Sequence, residues 1–205
     1  MIRILCADIS ASDERIYQSL YEGASDERKR RADRYLRYED KLRCVTADAL
    51  LKAALGTNEY QIEKNEFGKP YVKDRKDFYY NLSHSGDYVV IAFGNSEIGV
   101  DVQRHSADAD MQMIADHCFS ADEKEYVWQR GADVPERFYE IWTGKESYLK
   151  YAGKGLREDV RSVSVLEQKS KILFFARKPR EGYSLSLCTA DKDYILELSD
   201  VRQLG

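Results

Sequence analysis

The stretch FYYNLSHSGDYVVIAFGNSEIGVDVQ, residues 78–103, consists of three strand-like runs broken by turn residues at Ser85-Gly86-Asp87 and Gly94-Asn95-Ser96. That pattern predicts three strands joined as a meander of antiparallel hairpins. In the last strand Ile98, Val100 and Val102 alternate with Gly99, Asp101 and Gln103, the period of a strand with one face buried. A carboxylate and an amide thus share a face with a glycine, and a glycine inside a strand marks a place where a ligand or another backbone comes close. The strand reads as the floor of a site.

Working outward, residues 2–9 read as a strand, 25–38 and 39–55 as helices with Gly56 as a C-terminal stop, and 65–70 as a loop. After Gln103 the pattern turns helical. Ser120-Ala-Asp-Glu123 is a capping-box sequence, and Asp133-Val-Pro135 opens a further helix carrying Phe138, Ile141, Trp142, Tyr148 and Leu149 and ending near Gly153 or Gly155. The last fifty residues hold four strand-like runs, SVSVLE, KILFFARK, YSLSLCTA and YILELSD. No residue-level repeat is visible. The order of elements nevertheless predicts an α+β fold of two similar halves, 1–103 and 104–205, with Asp101 at their junction, where ligand sites tend to lie.

A chain of 205 residues, 43% hydrophobic and 33% charged, suits one large domain or two small ones. The net charge is −4, yet residues 28–43 carry eight basic side chains against three acids. A basic helix on an acidic protein suits a local phosphate ligand better than wholesale nucleic-acid binding; the plain alternative is a solvated helix face. Cys6, Cys44, Cys118 and Cys188 form no CxxC pair, so neither a disulfide framework nor a zinc site is suggested and a reducing, cytoplasmic setting is expected. No stretch approaches the ~20 apolar residues needed to span a bilayer, so no membrane association is expected.

The densest chemistry lies in WTGKESYLK, residues 142–150, where a helix puts Glu146 and Lys150 on one face with Trp142. Alone, this is also the spacing of a surface ion pair contributing ~0.3–0.5 kcal/mol. NLSHS, 81–85, ends a strand with hydroxyl and imidazole groups beside a glycine turn, and Phe67-Gly-Lys-Pro70 holds a lysine in a rigid loop.

In this order GKP (68–70), NLSHS (81–85), GVDV (99–102) and WTGKESYLK (142–150) resemble the motifs of the phosphopantetheinyl transferases, in the surfactin-type branch whose single chain contains two similar halves. RYLRYEDKLR (34–43) resembles that family's upstream segment. The resemblance implies a pseudo-twofold α+β fold with the active site at the junction. It also implies Mg²⁺-dependent transfer of the 4′-phosphopantetheine arm of coenzyme A to a serine of an acyl or peptidyl carrier protein, releasing adenosine 3′,5′-bisphosphate.

Carried over by residue, the resemblance makes Asp101 and Glu146 the carboxylates that hold Mg²⁺, with Gln103 as a third metal-site residue where many members have a glutamate, its amide oxygen either a ligand or a group that orients a water. Mg²⁺ is commonly held by one or two carboxylates plus substrate phosphates and water. Glu146 is also the implied general base toward the serine, directly or through a metal-bound water, and Lys150 contacts the phosphates and steadies the leaving bisphosphate. Ser83 and His84 grip phosphate; Lys69, Arg28 and Arg31 fall where the family holds the adenosine end and its 3′-phosphate. Glu123 is assigned to its cap, and His105 and His117 match no motif. Coenzyme A and a carrier protein are the expected partners, with neither nucleic acid nor membrane, and the internal duplication predicts a monomer.

Two rivals stand beside this reading. A nucleic-acid-binding module would explain the basic helix and the fifteen tyrosines, but not a carboxylate strand, since acids repel phosphate unless a metal intervenes. A non-catalytic interaction protein on the same fold would keep the core but need not keep Asp101, Glu146, Lys150 and His84 together.

Overall fold

The computed structural model describes residues 1–153, 160–168, 179–191, 193–201 and 204. Along the chain it contains β1 (Ile2–Asp8), α1 (Glu14–Gly23), α2 (Asp26–Ala32), α3 (Tyr38–Leu55), β2 (Ile62–Lys64), β3 (Pro70–Val72), β4 (Tyr79–Ser85), β5 (Tyr88–Gly94) and β6 (Ile98–Arg104). Then follow α4 (Met111–Cys118), α5 (Ala121–Trp128), α6 (Val134–Ala152), a 3₁₀ turn (Val160–Ser162), α7 (Val165–Gln168), β7 (Tyr183–Thr189) and β8 (Tyr194–Asp200). The fold is a mixed α+β one, as expected. One sheet has the order β4-β5-β1-β8, antiparallel except for the parallel pairing of β1 with β8. Strands β6 and β7 form an antiparallel pair, and β2 and β3 a short hairpin around the 65–70 loop.

Alternation along the central strands builds two cores back to back. Leu5, Ala7, Val89, Ile91 and Phe93 face α1, α2 and α3, while Ile4, Cys6, Val90 and Ala92 face Ile98, Val100, Val102, Leu185 and Leu187 of the β6–β7 pair. A third core, with Phe119, Phe138 and Ile141, joins α4, α5, α6 and α7.

The expected meander stops after two strands. β6 takes its backbone partner from β7, some eighty residues on, and meets β4 through side chains instead. Asn81 Oδ1, Ser83 Oγ and Ser85 Oγ accept the backbone N–H groups of Val100, Val102 and Arg104 at 2.9, 3.2 and 3.0 Å. Every second residue of β4 thus substitutes a side-chain oxygen for a backbone carbonyl. That ladder seals the seam between the two sheets, with each such bond contributing about 1 kcal/mol. The other face of β6 is not solvated either: Gly99 and Asp101 are buried beneath α6.

Other expectations need smaller corrections. The basic helix ends at Ala32 rather than 38, where Arg34 and Tyr35 bond back to Arg31 and Ala32 in a tight turn that leads into α3. SVSVLE is a helical turn and not a strand. Backbone groups in it and just before it are claimed by side chains: Lys145 Nζ donates to the carbonyls of Val160 and Val163, and Glu123 Oε1 accepts from Val165 N. KILFFARK lies outside the described residues. The predicted helix stops hold, since Gly56 and Gly153 both cap in the left-handed conformation, as does the capping box at Ser120 and Glu123.

Glu123 does more than cap. Its carboxylate pairs with Lys145 at 2.8 Å with both side chains essentially inaccessible to water. Removing one partner of such a pair strands the other charge, so Lys145→Met is expected to lower stability by ~3–5 kcal/mol in urea denaturation. The double variant Lys145→Met with Glu123→Leu should recover part of that loss.

Candidate active site

Strand β6 carries Asp101, and the glycine two residues before it lets α6 settle directly on the strand. A methyl group built on Gly99 would lie 1.9 Å from the carbonyl oxygen of Ser147 and 2.4 Å from the nitrogen of Tyr151. No side chain fits there. The backbones therefore approach closely, and the residues just before the two contacts, Glu146 and Lys150, come down beside Asp101.

Lys150 Nζ reaches Asp101 Oδ1 at 2.6 Å, the carbonyl of Val100 at 3.0 Å and Ser83 Oγ at 3.2 Å. Ser83 Oγ in turn donates to Asp101 Oδ1 at 2.8 Å. The helical Glu146–Lys150 spacing is thus not used as an ion pair between the two. Among the described residues Glu146 makes no hydrogen bond or ion pair, and it opens onto a cleft of about 250 Å³ lined also by Phe67, Lys69, Pro70, Leu149 and Lys150. Burial raises its pKa above the usual carboxylate value, Asp101 raises it further, and Lys150 opposes both.

Gln103 occupies the rim. Its amide oxygen accepts from Ser85 Oγ at 3.2 Å and its NH₂ donates to Asp101 Oδ2 at 3.3 Å. The amide can face Asp101 in only this sense, because a carboxylate accepts and does not donate. Among the described residues no cluster of three or more His, Cys, Asp or Glu stands ready for a metal. Two carboxylates within electrostatic reach of each other nonetheless match the donor set that Mg²⁺ takes together with phosphate oxygens and water.

On the other side of β4 the chemistry is cationic. Arg28, Arg31, Tyr35, Asp40, Cys44 and His84 line a recess of about 60 Å³ between α2, α3 and the strand. His84 sits at its rim, where loss of water around the ring and then the charges of Arg43, Lys150 and Arg31 hold its pKa below the usual imidazole value. Arg43, which the sequence reading did not single out, is fastened to the carbonyl of Gly86 at 2.6 Å and to Asp40 at 2.7 Å. Lys69 is tied down as well: its ammonium meets Glu97 at 2.6 Å and the carbonyls of Ile98 and Tyr151 at 3.2 Å, pinning the 65–70 loop to β6 and to the end of α6. Successive residues of β4 therefore serve opposite sites, Ser83 the carboxylates and His84 the arginines.

Two family models divide the chain at this seam. That of the 4′-phosphopantetheinyl transferase superfamily matches residues 97–199, and that of the 4′-phosphopantetheinyl transferase N-terminal region matches residues 12–96. The chain belongs to the 4′-phosphopantetheinyl transferase superfamily. It is 30% identical to the 4′-phosphopantetheinyl transferase Sfp of Bacillus subtilis strain 168, over 83% of this chain and 84% of that one. It is 28% identical to the transferase gsp of Aneurinibacillus migulanus, over 86% of this chain and 81% of that protein. Another 4′-phosphopantetheinyl transferase of Bacillus subtilis is 29% identical over 91% of this chain and 89% of its own length. This enzyme is accordingly a transferase that moves 4′-phosphopantetheine to carrier proteins.

Proposed function

We propose that the transferase holds coenzyme A across the end of β4, with its 3′-phosphate in the recess of Arg28, Arg31 and His84 and its pyrophosphate at Asp101 and Glu146. The single observation behind this is the back-to-back arrangement on β4, which sets an anion recess beside a carboxylate pair that phosphate would otherwise avoid. Bound Mg²⁺ would supply charge neutralisation between those carboxylates and the pyrophosphate oxygens. Asp101 and Glu146 would hold the cation, and Gln103 keeps Asp101 Oδ2 in place. Ser83 orients both Asp101 and Lys150, whose charge faces the departing bisphosphate. Lys69 fixes the 65–70 loop that lines the cleft of Glu146 and Lys150. Glu146 takes the proton from the carrier serine. Most of the acceleration comes from placement and charge neutralisation, as is usual in phosphoryl transfer.

We place this activity in the cytoplasm and in a monomer of two halves, 1–103 and 104–205, because one chain supplies β4 and α6 to the same cleft. No helix among the described residues is long and apolar enough to cross a membrane.

The test separates the recess from general charge. Arg28→Ala combined with Arg31→Ala is expected to weaken coenzyme A on the order of a hundredfold and 3′-dephospho-coenzyme A only slightly, since each charge-assisted bond is worth ~1.5–3 kcal/mol. Equal losses for the two ligands would count against the assignment. A magnesium titration examines the rim: Gln103→Glu adds a negative charge beside Asp101 and should lower the Mg²⁺ concentration for half-maximal rate, whereas Gln103→Ala should raise it slightly.

A further inference from the structure

Behind the cationic recess lies a carboxylate that no motif announces. Asp48, in the middle of α3, is completely buried. It accepts hydrogen bonds from the backbone nitrogen of Ser25 at 3.0 Å, from Ser25 Oγ at 3.2 Å and from the hydroxyl of Tyr60. It also pairs with Lys52 at 3.2 Å and with Arg28 Nε at 3.5 Å. Ser25 is itself the N-cap of α2, its hydroxyl accepting from Arg28 N. One buried group therefore holds both the start of α2 and the guanidinium of Arg28, while the same helix delivers Arg31 to the recess one turn later.

We infer that Asp48 is a positioning residue that gives the recess its selectivity for a terminal phosphate monoester, fixing Arg28 and the α2 axis so that Arg28, Arg31 and His84 converge on one anion. The inference rests on the reading of the recess given above. Two effects of Asp48 oppose each other. Its negative charge, a few ångströms behind Arg28, weakens the field felt by an anion; its five donors lock the arginine in place. Arg28, Arg31 and Arg43 already make the recess strongly positive, so one further unit of charge from behind Arg28 matters less than freeing the side chain and the helix start. Orientation should dominate, and affinity should fall even though the recess becomes more positive.

Steady-state kinetics with an apo carrier protein, using coenzyme A and 3′-dephospho-coenzyme A in parallel, decide between the two effects. Asp48→Asn is expected to raise KM for coenzyme A about tenfold, the size of one lost charge-assisted bond, with kcat and the KM for the dephospho form within about twofold of wild type. A lowered KM for coenzyme A would show that charge outweighs orientation. A parallel rise for both substrates would mark a merely structural role, and either result overturns the inference. Should a thermal melt show Asp48→Asn unfolded, Ser25→Ala decides instead, because it removes one donor and the α2 cap without touching the charge. It should raise KM for coenzyme A about threefold and leave the dephospho form unchanged, and indifference to the 3′-phosphate would refute the proposal. The arginine double variant keeps the two levels apart. If it fails to discriminate between the substrates, the recess itself is misread; if it discriminates while the Asp48 and Ser25 variants do not, only the role of Asp48 falls.

Discussion

Glu146→Gln is expected to lose about a hundred- to a thousandfold in turnover and, in EDTA at neutral pH, to melt at a higher temperature than the wild type. Both halves follow from one geometry. Among the described residues the carboxylate faces the cleft with no hydrogen bond or ion pair, and burial with Asp101 beside it raises its pKa in the folded protein. A carboxylate whose folded pKa lies above its unfolded one favours folding when protonated. That advantage is complete at low pH and is lost as pH rises from the unfolded value of about 4.5 through the raised folded value. The neutral glutamine does not suffer this loss. Melting temperatures of the two proteins should therefore differ most at pH 7–8 and converge as pH falls toward 4. A variant that is inactive and also less stable at pH 7 would show that Glu146 is a structural group.

Gly99→Ala should have a large effect for the addition of one methyl group. Its added carbon would meet the backbone of Ser147 and Tyr151, and backbone, unlike the tip of a flexible side chain, can yield only by moving α6 as a body. Overpacking typically costs 1–3 kcal/mol, and an encroachment this deep on main-chain atoms should reach at least about 3 kcal/mol in urea denaturation. Displacing α6 also carries Glu146 and Lys150 away from Asp101, and a shift of about 1 Å at a reacting centre can cost a hundredfold in rate. Gly23→Ala is the control. It has open space around it and no left-handed backbone, so it should be neutral or slightly stabilising. Near-wild-type stability and turnover in Gly99→Ala would mean that α6 does not rest on β6.

This contact also shows how far the sequence could be read. The glycine in GVDV signalled a close approach, and the structure supplies the approaching backbone. The i,i+4 spacing correctly put Glu146 and Lys150 on one face, but not the choice of Lys150 to pair with Asp101, forty-nine residues away. The polar side chains of NLSHS read as phosphate donors. Their period of two held a second meaning, since Asn81, Ser83 and Ser85 lie on one face of β4 and replace a backbone ladder to β6. Only His84, between them, is left to face the arginines. Nothing local to β6 could identify β7 as its partner, because the pairing depends on burying both of its faces. Asp48 and Arg43 were hidden for a similar reason: each lies inside a long helix, and its meaning comes from residues distant in the chain, Ser25 and Tyr60 for one and Gly86 for the other.

The most direct test of the account is the mass of an apo carrier protein after incubation with this enzyme, coenzyme A and Mg²⁺. The account predicts that the carrier gains one phosphopantetheinyl group on its serine, that adenosine 3′,5′-bisphosphate appears in equal amount, and that EDTA or Glu146→Gln suppresses both. A carrier of unchanged mass, across fatty-acid, polyketide and peptide-synthesis types alike, would contradict it.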